Sequence, residues 1–340
     1  MTEKDEIKEL INKINKEYGK DKIKHGDDFP EIERIKTGSL ELDYITGGGI
    51  PIGRWTRFYG AAGSGKSKVC YKVIANAQER GMTCAYYNSE KQYTPEFAAA
   101  HGVNVKNLLI VEGTIIEDIG EIMESLMESI DLHVIDSCSS TVSRVELDDG
   151  LNEKEYMAIR PRKWAKQFSF VNERFDQSRN CVILIDQVRV AFGATGITTL
   201  APPGGKFMEH VSSMSLLFKK SKWLYSREDG SLADTKSSTS PTLSGDLEPD
   251  GAEIQIRCEK SRVCRPFRSA RIKLNLSTNE FDWIAEYVDA AKYFGMVKVK
   301  GGWYKVEGME ASLRPKEYRN LLYNDKLLRE EIYNRMMKEA

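Results

Sequence analysis

Gly60-Ala61-Ala62-Gly63-Ser64-Gly65-Lys66-Ser67 fits the pattern G-x-x-x-x-G-K-[ST], with a β-prone run, Thr56 to Tyr59, before it and a helical run, Lys68 to Arg80, after it. Glycines at these places let the backbone wrap closely enough for its N–H groups to point at phosphate oxygens, and a helix starting at the loop adds favourable potential for their charge. Lys66 is placed to hold the β- and γ-phosphates of a nucleoside triphosphate, and Ser67 to hold Mg2+. The strand-loop-helix order makes this an α/β protein.

Outward from the loop, short apolar runs alternate with helical stretches from about Arg34 onward, the pattern of a parallel sheet covered by helices. Strands are expected at Thr83 to Asn88, Leu108 to Val111, Leu132 to Ile135 and Cys181 to Ile185, and helices at Ile116 to Ile130 and Pro161 to Gln177. After Gly205 the pattern favours antiparallel strands, Ser213 to Lys219, Glu253 to Glu259 and Ala270 to Leu276. The stretch Ser226 to Gly251 between the first two has no periodicity and is expected to be a mobile hairpin loop. At the N-terminus, Ile7, Leu10, Ile11, Ile14 and Tyr18 form one amphipathic stripe, which packs either on its own domain or on a neighbouring subunit. From Phe281 a helix, a short hairpin around Gly301-Gly302 and a charged helix suggest a small separate domain.

Two carboxylates stand where ligands gather in open α/β sheets, at the ends of expected strands. Asp136 follows Leu132 to Ile135 and is the second residue expected to orient Mg2+. Glu90 follows Ala85 to Ser89, where a carboxylate can align the water that attacks a γ-phosphate; by itself it reads more readily as an exposed surface residue.

Bulk composition bounds the rest. The 340 residues, 41% of them hydrophobic, suffice for a large core, and Lys+Arg 50 against Asp+Glu 51 leave a net charge of -1. Overall charge therefore does not hold a polyanion, and any nucleic-acid surface must be a local basic lining. The six cysteines form no C-x-x-C pair and the four histidines no cluster, so neither a disulfide framework nor a zinc site is expected. No apolar stretch is long enough for a membrane span and the first residues have no signal-peptide core, so a cytoplasmic protein with no membrane partner is expected.

The stretch Ile35 to Asp43, then Gly47 to Arg54 and the phosphate loop, closely resembles the bacterial RecA recombinases and their phage relatives. Further matches follow in the same order: Ser89-Glu90 with Pro95 and Gly102-Val103, Ile135-Asp136-Ser137, Ile185 to Arg189, Gly204-Gly205, Glu259-Lys260-Ser261-Arg262 and Gly302-Trp303-Tyr304. The resemblance implies a RecA-type P-loop ATPase core with a mostly parallel central sheet (34–280), an N-terminal polymerisation helix (1–33) and a small C-terminal α/β domain (281–340). It implies ATP and Mg2+ as cofactors and a helical filament on single-stranded DNA that pairs it with duplex. Single-strand-binding and mediator proteins are further candidate partners.

Residue by residue, the resemblance makes Glu90 the catalytic carboxylate and Gln187 the sensor of the γ-phosphate. Phe97 becomes the ring that stacks on adenine, although it reads nearly as well as a core helix residue. Lys260 and Arg262 become the cations that reach a neighbour's ATP. DNA contacts are implied for Arg162, Arg189, Thr198, Thr199, Gly204, Gly205 and Lys206, while the first DNA loop, about Glu146 to Tyr156, is acidic here. The long stretch 226–251, Ala62-Gly63 in the loop and the lack of an acidic C-terminal tail depart from bacterial members, and the last two fit a phage-type or divergent one. A different RecA-fold DNA motor, such as a helicase or branch-migration ATPase, and a non-catalytic assembly protein are the competing readings.

Overall fold

Alternate residues of each central strand enter different cores. In the strand Cys181–Gln187, Cys181, Ile183 and Ile185 join one hydrophobic cluster while Val182 and Leu184 join the other. Such two-sided burial belongs to a sheet covered on both faces. The computed structural model describes residues 3–19, 22–28, 31–148, 159–192, 198–201, 205–226, 231–234 and 248–340. Two units separate, Met1–Glu33 and Arg34–Ala340.

The first unit holds helix α1 (Glu3–Tyr18), with Ile7 and Leu10 exposed on its apolar stripe. The second begins with β1 (Arg34–Ile35), α2 (Leu40–Thr46) and β2 (Ile50–Pro51), followed by β3 (Trp55–Gly60), α3 (Lys66–Glu79), β4 (Cys84–Asn88), α4 (Pro95–Ala100) and β5 (Leu108–Glu112). Then come α5 (Ile116–Leu126), β6 (Leu132–Asp136), α6 (Arg144–Asp148), α7 (Ile159–Arg174), β7 (Cys181–Gln187), β8 (Arg189–Phe192), β9 (Thr198–Ala201) and α8 (Gly205–Val211). The sheet is completed by β10 (Met214–Ser226), β11 (Leu232–Ala233), β12 (Gly251–Ser261) and β13 (Ser269–Asn275), in the order β13-β12-β10-β3-β7-β6-β4-β5 with β11 on the edge of β10. Val69, Val73 and Ile74 of α3 cover one face; Ile119 and Met123 of α5 with Trp164, Phe168 and Val171 of α7 cover the other.

The antiparallel run expected after Gly205 is present, β10 with β12 and β12 with β13, and the other edge of β10 joins it in parallel to β3. The connection from β7 includes α8, and a helical crossover returns the chain to the edge where a parallel strand must begin. The structure corrects the sequence expectation at two places. The helix expected to run to Ile130 stops at Leu126, where Asn180 Nδ2 donates to the carbonyls of Met127 and Ile130, both at 2.9 Å. Within the stretch 226–251, β11 pairs with β10 and buries Leu232; residues 227–230 and 235–247 lie outside the described residues.

After β13 come α9 (Trp283–Tyr293), the hairpin β14 (Val297–Lys300) and β15 (Trp303–Val306), α10 (Pro315–Asn324) and α11 (Lys326–Met337). Gly301 and Gly302 both have positive φ, 58° and 78°, as a two-residue hairpin turn requires. A third cluster, including Ile284, Val288, Tyr318, Leu322 and Ile332, also takes in Leu40 of α2. There Glu286 Oε2 accepts from Ser39 Oγ at 2.8 Å and from the amide of Glu41 at 2.9 Å, while its buried Oε1 has no partner among the described residues.

Burial pushes the Glu286 carboxyl up to about 8, against the Glu41 amide bond, which lowers it, and with the Glu41 charge, which raises it further. A carboxyl with a raised folded pKa stabilises fully below its ordinary value of 4.5 and loses that contribution as pH climbs towards 8. Glu286→Gln should therefore flatten the dependence of stability on pH across this window, where each tenfold difference in proton affinity between folded and unfolded chain is worth up to about 1.4 kcal/mol. Urea unfolding at pH 5 and pH 8 reads it. The variant should exceed the parent at pH 8, and identical pH slopes would contradict the assignment.

Candidate nucleotide-binding site

Four parallel strands end at one edge of the sheet and place the chemistry there. Gly60 is level with Gln187 across β3 and β7, and Asn88 with Asp136 across β4 and β6. The phosphate loop leaves this edge between β3 and α3. A Cβ on Gly60 would stand 2.1 Å from the carbonyl oxygen of Phe218, so only glycine lets the loop start so close to β10. Gly65 caps α3 in the left-handed region, φ 86°, with no side chain bonded to the first turn. The free N–H groups of that turn thus face the loop, which suits them to an anion.

Lys66 is buried, and its Nζ donates to the carbonyls of Gly60 at 3.0 Å and Ala61 at 2.8 Å. Burial holds its pKa below the usual lysine value, opposed by the charges of Asp136 and Glu90. Carbonyl dipoles replace only part of the ammonium's lost hydration, so a phosphate is the better partner. Ser67 Oγ donates to Asp136 Oδ2 at 2.6 Å, and Tyr86 OH donates to the same oxygen at 2.6 Å. Burial raises the pKa of Asp136, against those two hydrogen bonds. Among the described residues no three His, Cys, Asp or Glu side chains gather to hold a metal, and one hydroxyl with one carboxylate fits Mg2+ completed by phosphate oxygens and water.

Glu90 is fixed from both backbone and side chain. The amides of Ser89 and Glu90 donate to the carbonyl of Asp136 at 3.0 and 3.1 Å. Glu90 Oε1 accepts from Ser137 Oγ at 2.6 Å and from Gln187 Nε2 at 2.5 Å. The Gln187 amide donates to Ser139 Oγ at 3.0 Å, and the next amide, Val188, donates to the carbonyl of Gly60 at 3.2 Å. Ser137, Ser139 and Tyr86 were not expected as site residues, although Ser137 stands in the matched run Ile135-Asp136-Ser137. The run Ser137-Cys138-Ser139-Ser140 directly after Asp136 was the available signal for the first two; Tyr86 carried none.

The other expected residues are spread more widely. Phe97, on α4, is half-buried, edge-on to Tyr71 at 5.8 Å and 4.5 Å from the His101 ring, with Lys68 Nζ 5.6 Å above it. Arg162 is exposed near the start of α7, whereas its neighbours Arg160 and Lys163 pair with Glu146 and Glu117. In the second DNA loop, β8 and β9 form an antiparallel hairpin that places Arg189 opposite Ala201 and Thr198 opposite Phe192. Gly205 and Lys206 begin α8; Gly204 and most of the first DNA loop lie outside the described residues.

The sequence model of the RecA N-terminal domain matches residues 5–279, more than half of the chain. The chain belongs to the RecA family. Protein RecA of Fusobacterium nucleatum is 30% identical over 303 residues, 88% of this chain and 75% of that protein. Protein RecA of a Thermus thermophilus strain is 26% identical over 339 residues, 98% of this chain and 94% of that protein, and Protein RecA of Pseudomonas savastanoi is 29% identical over 303 residues, 88% and 80%. The chain is thus a RecA-type recombinase and a DNA-dependent ATPase, and the reading as another motor or as an assembly protein without catalysis is not favoured. Among the described residues no helix is long and apolar enough to cross a membrane.

In this RecA-family core, Lys260 and Arg262 are far from the chain's own phosphate loop. Lys260 pairs with Ser215, which pairs with Arg57, three residues before Gly60. The Arg262 amide donates to the Ser213 carbonyl at 2.8 Å and the Ser213 amide to Trp55, five residues before Gly60 and so about 16 Å away along the strand alone. Lys260 Nζ is turned to the end of α8, donating to the carbonyls of Glu209 and, at 2.9 Å, Ser212. Burial, then the Arg262 charge, lowers its pKa. Arg262 is exposed.

Proposed function

We propose that this RecA-family ATPase completes each ATP site from two copies of the chain: the loop Gly60 to Ser67, Asp136 and Glu90 from one, Lys260 and Arg262 from the next. The observation that carries this reading is the position of the two cations at the end of the sheet opposite their own loop. Positive charge aimed at developing phosphate charge only after docking ties hydrolysis to assembly. The apolar stripe of α1 serves as the polymerisation surface.

Within one site, the loop amides and Lys66 hold phosphate, and Phe97 offers its ring to adenine. Ser67 and Asp136 are the residues that would hold Mg2+, whose chemistry there is to neutralise phosphate charge. Glu90 accepts a hydrogen bond from the attacking water and orients it. Gln187 shares Oε1 of Glu90 and can donate to a γ-phosphate instead, so the start of the second DNA loop follows the state of the nucleotide. Arg162, Arg189, Thr198, Thr199, Gly204, Gly205 and Lys206 contact the backbone of single-stranded DNA, without sequence preference. The resulting helical filament samples duplex DNA and exchanges strands.

ATP hydrolysis with and without single-stranded DNA, together with electron microscopy of the ATP-bound mixture, tests the whole reading. Stimulation by DNA and filaments are expected together; neither appearing would end it.

A further inference from the structure

Two thiols meet in the turn that carries Lys260 and Arg262. Cys258 is buried on β12, where its amide donates to the Arg268 carbonyl at 3.0 Å and its carbonyl accepts from the Phe267 amide at 2.6 Å. Cys264, between β12 and β13, is half-buried, and the two sulfurs converge on consecutive residues: Cys258 Sγ donates to the Lys260 carbonyl at 3.5 Å and Cys264 Sγ to Ser261 Oγ at 3.0 Å. The Cys264 sulfur also lies 3.6 Å from the Ile45 carbonyl. The Arg34 guanidinium is anchored beside it on the carbonyls of Thr46 and Val263, at 2.8 and 2.7 Å. The other four cysteines, Cys70, Cys84, Cys138 and Cys181, are buried.

We propose that Cys258 and Cys264 are an oxidation site: a hydroperoxide converts them to an intramolecular disulfide, and that bond withdraws Lys260 and Arg262 from the neighbour's ATP site. The second half of this rests on the two-copy site argued above. In the first step the Cys264 thiolate attacks a peroxide oxygen, the O–O bond breaks, and a sulfenic acid and hydroxide form. In the second, Cys258 sulfur attacks the sulfenic sulfur, the S–S bond forms, the S–O bond breaks, and the thiol proton leaves with the hydroxyl as water. With hydrogen peroxide the balance is two thiols and one peroxide to one disulfide and two waters.

The surroundings favour Cys264 as the attacking sulfur. The hydrogen bond from Cys258 lowers its pKa, burial opposes this, and Ser261, Arg34 and Arg268 lower it further. A thiolate-prone, partly exposed cysteine beside a resolving thiol is the arrangement that peroxide oxidises selectively. Bonding the sulfurs pulls Cys264 from Ser261 and Ile45 and tightens the segment that contains both cations. Lys260 is doubly involved, since its carbonyl accepts from the Cys258 sulfur at 3.5 Å while its Nζ holds the end of α8.

The full chain is treated with hydrogen peroxide, and its tryptic peptides and DNA-stimulated ATP hydrolysis are followed together. A linked pair of peptides carrying Cys258 and Cys264, lighter by two hydrogens, is expected. Hydrolysis should fall about tenfold or more, because a displacement near 1 Å at such a site is costly, and dithiothreitol should restore it. Cys264→Ser and the volume-conserving Cys258→Val should keep their hydrolysis under peroxide. Singly oxidised Cys264 without linkage, or linkage with unchanged hydrolysis, overturns the proposal. Reduced protein that lacks DNA-stimulated hydrolysis instead counts against the two-copy site, because linkage is scored by mass alone.

Discussion

Arg262→Ala is expected to hydrolyse ATP about 10³-fold more slowly at saturating single-stranded DNA, the lower end of the effect of a cation supplied in trans. Its side chain is exposed, so its removal should leave folding intact. Glu90→Gln should also be slow, yet still form filaments, because it loses the charge that aligns water and keeps the shape of the side chain. The two variants, inactive separately, should complement one another when mixed. In a random equimolar filament with head-to-tail contacts, about a quarter of the interfaces join an intact Glu90 to an intact Arg262 and recover hydrolysis. A mixture as inactive as its components would place Arg262 outside the neighbour's site.

Lys66→Ala is the second large effect, with ATP hydrolysis expected to fall by about 10³-fold, as for removal of a group aimed at developing charge in a dry site. Stability should move the other way or not at all. The Lys66 ammonium is buried against loop carbonyls, and burial depresses its pKa, so the folded chain bears a cost for keeping it charged. A thermal midpoint equal to or above the parent's, with hydrolysis lost, would separate chemistry from folding. A variant that unfolds well below the parent would show that Lys66 is chiefly structural.

The parts of this arrangement that could be read in the sequence are those set by neighbours along the chain. The phosphate loop is contiguous, and the alternation in Cys181 to Ile185 or Cys84 to Tyr87 reports burial on both faces of a sheet. Asp136 and Glu90 were found as strand-terminal carboxylates; the phosphate loop upstream supplied the role of Asp136, and the family resemblance that of Glu90. What the sequence left open depends on partners distant in the chain. Nothing local tells that β10 runs parallel to β3, that Tyr86 donates to Asp136, or that Asn180 binds the carbonyls of Met127 and Ile130 just beyond α5. Phe97 shows the same limit: its place on α4 was legible, but its contact with Tyr71 and His101 was not. Cys258 and Cys264 looked like unrelated apolar positions until the turn between β12 and β13 set their sulfurs on the consecutive residues Lys260 and Ser261.

Phosphate loop and cation pair sit at opposite ends of one sheet, and under the two-copy site we propose this gives the assembly a direction. Two copies cannot satisfy each other's sites symmetrically through one shared patch, so the contact propagates from chain to chain. The two termini of the resulting polymer then differ. One exposes a nucleotide loop with no cations delivered to it, the other a cation pair with no nucleotide to meet. Hydrolysis competence is thus missing at one terminus alone, and growth and loss of subunits are expected to proceed at unequal rates from the two ends.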